Sequence, residues 1–338
     1  MTKHWKTAVA FIGVLIAASL IFQVMRFPEP KYQGRPVRAW LGDMAAHKWN
    51  GCDKALHAIG TNAVPYAVHD LARNDSKWRI KYRELRPRFP MLLQKILPAP
   101  KPMLQVVDGA NVFFYIGSNS IPCAIALLKH HSPSVRQSAA WGLGSIRRQS
   151  AAANQAIPAL IEATGDSDRD VRLYAMVAFR EMGADASNAV PAITKVLADT
   201  GVGSQTNSFF YVRAAAAVAL GKIGPPAAAA LPELKSAMRE SNSYLRGQAA
   251  VATWRATADA DTALAVLLQE MPASSEDEKW DWIVALGEMG SRAKAAVPQL
   301  EAELRQDKRD WVLNHVTNAF KSIDPEAAAR AGVKSHAN

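Results

Sequence analysis

The stretch VRAAAAVALGKIG occupies residues 212–224 and runs through PPAAAA into LPELKSAMRE, residues 231–240. Its apolar positions, Val212, Ala216, Leu220 and Ile223, recur at the spacing of a helix that turns about 100° per residue. Gly224 closes that stripe, where a left-handed helix cap favours a residue without Cβ. Pro232 then falls in the first turn of a second helix, where its missing N–H costs nothing. The stretch reads as one helix, a turn, and the start of its antiparallel neighbour.

The same phrase returns along the chain. It appears as VRQSAAWGLGSI at 135–146, VRLYAMVAFREMG at 171–183 and LRGQAAVATWRAT at 245–257. The proline phrase returns as QAIPALIEATGDSD at 155–168, NAVPAITKVLADTG at 188–201 and AALPELKSAMRESN at 229–242. Pro122, Pro158, Pro191, Pro232 and Pro298 mark the units, and Leu264 holds the place of one missing proline. Self-similarity at this period marks a solenoid, in which each helical hairpin has one apolar face that only its neighbour can bury. DSDRD (166–170) and SSEDE (274–278) supply turns and N-caps, and Ser275 with Glu278 fits a capping box.

These residues resemble HEAT repeats, particularly the short, phycobilisome-lyase-like variety with V-R-x-x-A-x-x-A-L-G-x-I-G in the second helix. The likeness is closest at Val212–Gly224, good at 135–146 and 171–183, and covers about residues 112–325. A divergent first repeat is expected at 40–72, because IGTNAVP (59–65) mirrors IGSNSIP (116–122). The tryptophan pattern of tetratricopeptide repeats and the T-P-L-H pattern of ankyrin repeats are absent. The resemblance implies an all-α solenoid whose second helices line a concave face. It also implies a ladder in which an acid six residues before the motif arginine bonds it. Asp166 and Arg172 fit, as do Glu240 and Arg246; Arg136 has His130 and Arg213 has Asn207 there, so the ladder reads as incomplete.

The N-terminal third has a different character. A basic tail at 1–6 precedes an apolar run without charge at 7–25, long enough as a helix to span a hydrocarbon core. An uncleaved signal anchor is the favoured reading, making the chain a membrane-anchored member; a cleaved signal peptide is the alternative. Orientation leans toward an extracytoplasmic body, although the flanking charges alone favour the reverse. A linker at 26–39 leads to the first repeat. A basic, proline-rich insertion at 73–111 separates that repeat from the array, with helices expected at 77–85 and 90–97, and a short tail at 326–338 follows.

The net charge of +10 is concentrated in this third. Residues 1–48 carry +5 and residues 73–101 carry +7, whereas everything after 101 sums to −1. A nearly neutral array speaks against phosphate binding, so a nucleic-acid-binding or glycosylase-like role is the weaker alternative. Lys77, Arg79, Lys81, Arg83, Arg86 and Arg88 are the expected contacts to an anionic membrane surface. Two cysteines, Cys52 and Cys123, stand too far apart for a local metal site and read as free thiols.

No catalytic, metal or cofactor signature emerges. DSDRDV (166–171) lacks the glycine and glutamate of a calcium loop, and the adjacent His130 and His131 cannot converge on one ion. Some short HEAT proteins attach chromophores, which leaves a lyase-like role as a further alternative implied by the resemblance alone. The leading expectation is a non-catalytic, membrane-tethered scaffold that binds protein partners. Alanine and glycine at 139–144, 214–221 and 247–252 would allow close helix packing and leave a smooth groove floor, with Arg180 and Trp254 as the partner-binding candidates.

Overall fold

A computed structural model describes residues 29–100, 102–199, 207–273, 276–306 and 310–330. The apolar run at 7–25 and Ser275 lie outside these residues. The chain divides into two compact units, residues 1–105 and 106–338.

In the first unit, strands β1 (Lys31–Tyr32) and β2 (Arg35–Pro36) pair antiparallel and lead into α1 (Val37–Ala45). Helices α2 (Cys52–Ile59) and α3 (Val64–Ala72) follow, joined by a 3₁₀ turn at Gly60–Ala63. Leu41, Met44, Leu56 and Leu71 form their fully buried centre. Cys52 is a free, buried thiol whose pKa is pushed up by burial and, secondarily, by the charge of Asp43. Cys123, in the second unit, is free and half-buried. The first unit ends in two further helices, α4 (Lys77–Leu85) and α5 (Met91–Ile96), which contribute no buried residue.

The second unit is all helical among its described residues. It opens with α6 (Val106–Ile116), earlier than the repeat spacing alone placed the array. Short and long helices then alternate. The short ones are α7 (Ile121–Leu127), α9 (Ile157–Ala163), α11 (Val190–Ala198), α13 (Leu231–Ala237), α15 (Ala260–Glu270) and α17 (Val297–Gln306). The long ones are α8 (Pro133–Arg147), α10 (Arg169–Met182), α12 (Asn207–Ile223), α14 (Ser243–Thr257), α16 (Glu276–Met289) and α18 (Asp310–Ile323), with α19 (Pro325–Arg330) after them. Each long helix packs on the next, from α6 through α18. The anticipated stripe is buried throughout: Val171, Ala175, Phe179 and Met182 in α10, and Val212, Ala216, Leu220 and Ile223 in α12. The stretch 106–127 is apolar enough to cross a membrane. It is interrupted by a 3₁₀ turn at Gly117–Ser120, and Val112, Phe113 and Ile116 are buried within the array.

The connections from long to short helix differ from the simple cap expected. Gly183 and Gly224 do take positive φ, but with ψ of −135° and −139°, a region beyond the left-handed helix that is essentially closed to other residues. Each leads into a 3₁₀ segment, Gly183–Ala189 or Pro225–Ala230, before the proline-led helix begins. Alanines three apart, Ala186 with Ala189 and Ala227 with Ala230, are fully buried there, as are Ala153 with Ala156 and Ala293 with Ala296. A period of three suits a helix with three residues per turn. After α14 the pattern changes: Ala258 takes the left-handed position at φ 60°, and Asp259 caps α15 directly. This is the unit in which Leu264, buried in α15, stands where others carry proline.

Candidate interaction surface

The motif arginines determine how neighbouring units are joined. Arg136, early in α8, donates from Nε and Nη2 to both carboxylate oxygens of Asp166, each at 2.7 Å, and from Nη1 to the carbonyl of His130 at 2.9 Å. Arg246 repeats the arrangement with Glu270 at 2.7 and 2.6 Å and the carbonyl of Glu240 at 2.6 Å. Arg213 donates to Glu240 at 2.8 Å and to the carbonyl of Leu197 at 2.7 Å. The acid therefore serves the arginine of the preceding unit through its carboxylate, while its own unit's arginine takes its backbone oxygen. Arg172 does the latter with Asp166, at 2.8 Å. The ladder that read as incomplete at Arg136 and Arg213 is thus filled there, because their carboxylate partners come from the next unit. Lys279 continues the series with Glu303 at 2.6 Å.

Asp166 also accepts from the backbone N–H of Asp168 at 2.8 Å, and Asp168 caps α10 by accepting from Asp170 and Val171, each at 3.0 Å. Burial alone would raise the Asp166 pKa; hydrogen bonds from Arg136 and Asp168 outweigh it and hold the carboxyl below the usual range. The DSDRDV acids are therefore committed to caps and arginines. Among the described residues no group of three His, Cys, Asp or Glu is placed to hold a metal.

The small residues at 139–144, 214–221 and 247–252 allow the close helix packing expected of them, but they are largely buried and do not form an open floor. They lie in the seams between long helices. A Cβ on Gly144 would meet the Cα of Ala178 at 2.8 Å, and one on Gly221 would meet that of Ala252 at 3.1 Å. Gly142 faces the ring of Phe113 in the same way, and Gly247 lies under the fully buried ring of Trp282. Close approach of the backbones is what these residues permit.

What faces outward is the opposite arc of α8 and α10. Leu173, Tyr174, Val177, Arg180 and Glu181 are all half-buried on α10, and Trp141 of α8 stacks on Tyr174 with ring centroids 4.8 Å apart and planes at 11°. Burial pushes the Tyr174 phenol up, with a smaller contribution from Asp170. Glu181 receives Arg148 at 2.9 and 3.1 Å and Arg180 at 3.1 and 2.7 Å. Burial would raise its pKa, but the two guanidinium groups prevail and lower it. Arg180 is thus paired with Glu181, with its side chain 40% exposed. Trp254 is half-buried against the core of the last units, and Arg292 lies over its ring at 5.7 Å. It is separate from the α8–α10 arc. The Trp141–Tyr174 pair escaped sequence reasoning because Trp141 aligns with Val177 and so reads as core. The signal was a second aromatic three residues into the next motif phrase.

On the basic segment, Lys77, Arg79, Lys81 and Arg88 are exposed and Arg83 is half-buried. Arg86, also in the expected set of surface contacts, is half-buried. Its guanidinium donates to the carbonyls of Gln94 at 2.7 Å and Leu97 at 3.3 Å, closing α5 from within.

Comparison with known families matches the model for HEAT repeats to residues 121–204 and 157–254. Among solved structures, the chain is similar to the complex of CpcE and CpcF of phycocyanin lyase from Nostoc sp. PCC7120. Identity there is 20%, covering 72% of this chain and 96% of that one, with a TM-score of 0.48. Two engineered proteins are also similar. One shows 17% identity over 79% of this chain and 97% of that one, TM-score 0.38; the other 18% over 88% and 82%, TM-score 0.42. Comparison with curated proteins gives no match. Residues 121–254 therefore match HEAT repeats, in keeping with the alternating short and long helices described there.

Proposed function

We propose that this protein is a membrane-tethered scaffold, without catalysis of its own, whose array holds a segment of a partner protein. The observation that carries this reading is the outward arc of α8 and α10. There the stacked Trp141 and Tyr174, with Leu173 and Val177, present half-buried apolar and aromatic surface on helices that also carry the part-exposed Arg180. Tryptophan, tyrosine and arginine are the side chains that most often dominate protein contacts. The neighbouring seams are filled by glycine and alanine backbones, which keeps the arc rigid, so less ordering is required when a partner binds. The apolar run at 7–25 is the proposed tether, with the array on the extracytoplasmic side.

The test is Trp141→Ala combined with Tyr174→Ala in the full chain, expressed in its native cell and extracted in mild detergent. The unaltered chain should migrate in a complex well above its own 36.7 kDa, and the variant should migrate alone with unchanged helical content. A complex that survives the double substitution would remove this arc as the docking surface.

A further inference from the structure

Helices α4 and α5 form a hairpin that is well connected internally and bare externally. Arg86 closes it through Gln94 and Leu97, the Tyr82 hydroxyl donates to the carbonyl of Pro98 at 2.8 Å, and Trp78 stacks on Tyr82 at 5.4 Å. Below it, the Asn74 side chain donates to the carbonyl of Leu104 at 2.6 Å. Yet neither helix buries one residue. All but one of the exposed large apolar side chains among the described residues fall here: Trp78, Ile80, Met91, Leu92, Leu93 and Ile96, four of them at least 70% exposed. Helices of this length that bury nothing are marginal in water, and an apolar patch rimmed by charge marks a surface that something covers.

Charge decides what covers it. Residues 73–101 carry nine Lys and Arg against Asp75 and Glu84. A second copy would set one +7 surface against another, and the segments outside the described residues at 1–28 and 331–338 are themselves basic. The complementary surface is extended, anionic and able to accept tryptophan and aliphatic side chains just beneath the charges. An anionic bilayer has that layering: phosphates outside, acyl chains within, and an interface that suits Trp and Tyr.

We propose that residues 77–97 are a membrane-surface hairpin. Trp78, Met91, Leu92 and Ile96 enter the interfacial layer of an anionic bilayer, and Lys77, Arg79, Lys81 and Arg88 engage its phosphates. This extends the purely electrostatic expectation from sequence, because the apolar side chains give the contact a component that salt does not screen. It is independent of partner binding by the array.

The test is hydrogen exchange of the full chain reconstituted with phosphatidylcholine vesicles, with or without about one-third phosphatidylglycerol. Flotation with neutral vesicles reports the apolar run at 7–25, and exchange of peptides within 77–97 reports the hairpin, so the two readings fail separately. Exchange there should slow by about tenfold or more on anionic vesicles only, and moderate salt should weaken that protection without removing it in the unaltered chain. Lys77→Gln, Arg79→Gln, Lys81→Gln and Arg88→Gln together should abolish it. Trp78→Ser, Met91→Ser, Leu92→Ser and Ile96→Ser together should leave only a weak protection that salt removes. Unchanged exchange in the array peptides checks that both variants fold. Equal protection on neutral and anionic vesicles, persistence in both variants, or equal protection by soluble polyglutamate would overturn the proposal, the last assigning the hairpin to an acidic polypeptide.

Discussion

Arg136 reaches forward 30 residues to hold Asp166 with two parallel hydrogen bonds of 2.7 Å, and both side chains are nearly out of solvent. One clasp thereby ties α8 to the turn that starts α10. The third guanidinium contact, to the carbonyl of His130, fixes the clasp to its own unit's turn.

Removing Arg136 leaves Asp166, at a part-buried site, with the N–H of Asp168 as its remaining short hydrogen bond, a loss that typically costs about 1–3 kcal/mol. Arg136→Ala should therefore lower the stability of the array by roughly that amount in a denaturant titration, whereas Lys222→Ala, on an exposed position, should cost well under about 1 kcal/mol. The clasp should also be acid-labile. Asp166 and Glu181 both have folded pKa values below the ordinary carboxylate value. Their contribution is fully present above about pH 5 and is lost as pH falls below about 4, through the depressed folded values. Asp166→Asn should flatten the fall of stability across that window. An unaltered slope would mean that the carboxylate contributes nothing to acid unfolding.

Gly247 and Trp282 form a different kind of joint. A Cβ on Gly247 would stand 2.1 Å from Cζ2 of an indole that has no exposed surface. Gly247→Ala should destabilise the last units by about 1–3 kcal/mol or more through overpacking. Adding Trp282→Leu should recover part of that loss, because the two substitutions share one contact. Strictly additive losses in the double variant would place the strain elsewhere.

The tether makes its own prediction. The full chain should stay with membranes through carbonate extraction, and deletion of residues 7–25 should release it from neutral membranes. Complete extraction of the intact chain would remove the anchor from the account.

Periodic spacing carried most of the array, because one apolar stripe per helix is a local property of the chain. Val171, Ala175, Phe179 and Met182 could be assigned to a core from their intervals alone, and the helices expected at 77–85 and 90–97 correspond to Lys77–Leu85 and Met91–Ile96. Ala186 and Ala189, both fully buried, were a legible sign of a packed connection between the helices that went unread. The arginine clasps were not legible in the same way. Which carboxylate Arg136 takes depends on how unit stacks on unit, and a search for the acid nearest in sequence finds the wrong one. The close packing that alanine and glycine allow was legible, but whether they also floor a groove was not, since a small residue in an open groove and one in a helix seam look alike in a sequence. The Trp141–Tyr174 stack likewise forms between two units.

Docking of a partner on the outward arc of α8 and α10 is the proposal on which the function rests. The most direct measurement places a photo-crosslinking residue at Leu173, Val177 or Arg180 in the full chain, and separately at exposed Glu162 on α9 or Ala126 on α7. Irradiation in the native cell should give the same discrete adduct from the three α10 positions and none from Glu162 or Ala126. That adduct should vanish when Trp141 and Tyr174 are replaced by alanine. Adducts that arise equally from both faces, or that persist without the aromatic pair, would contradict the account.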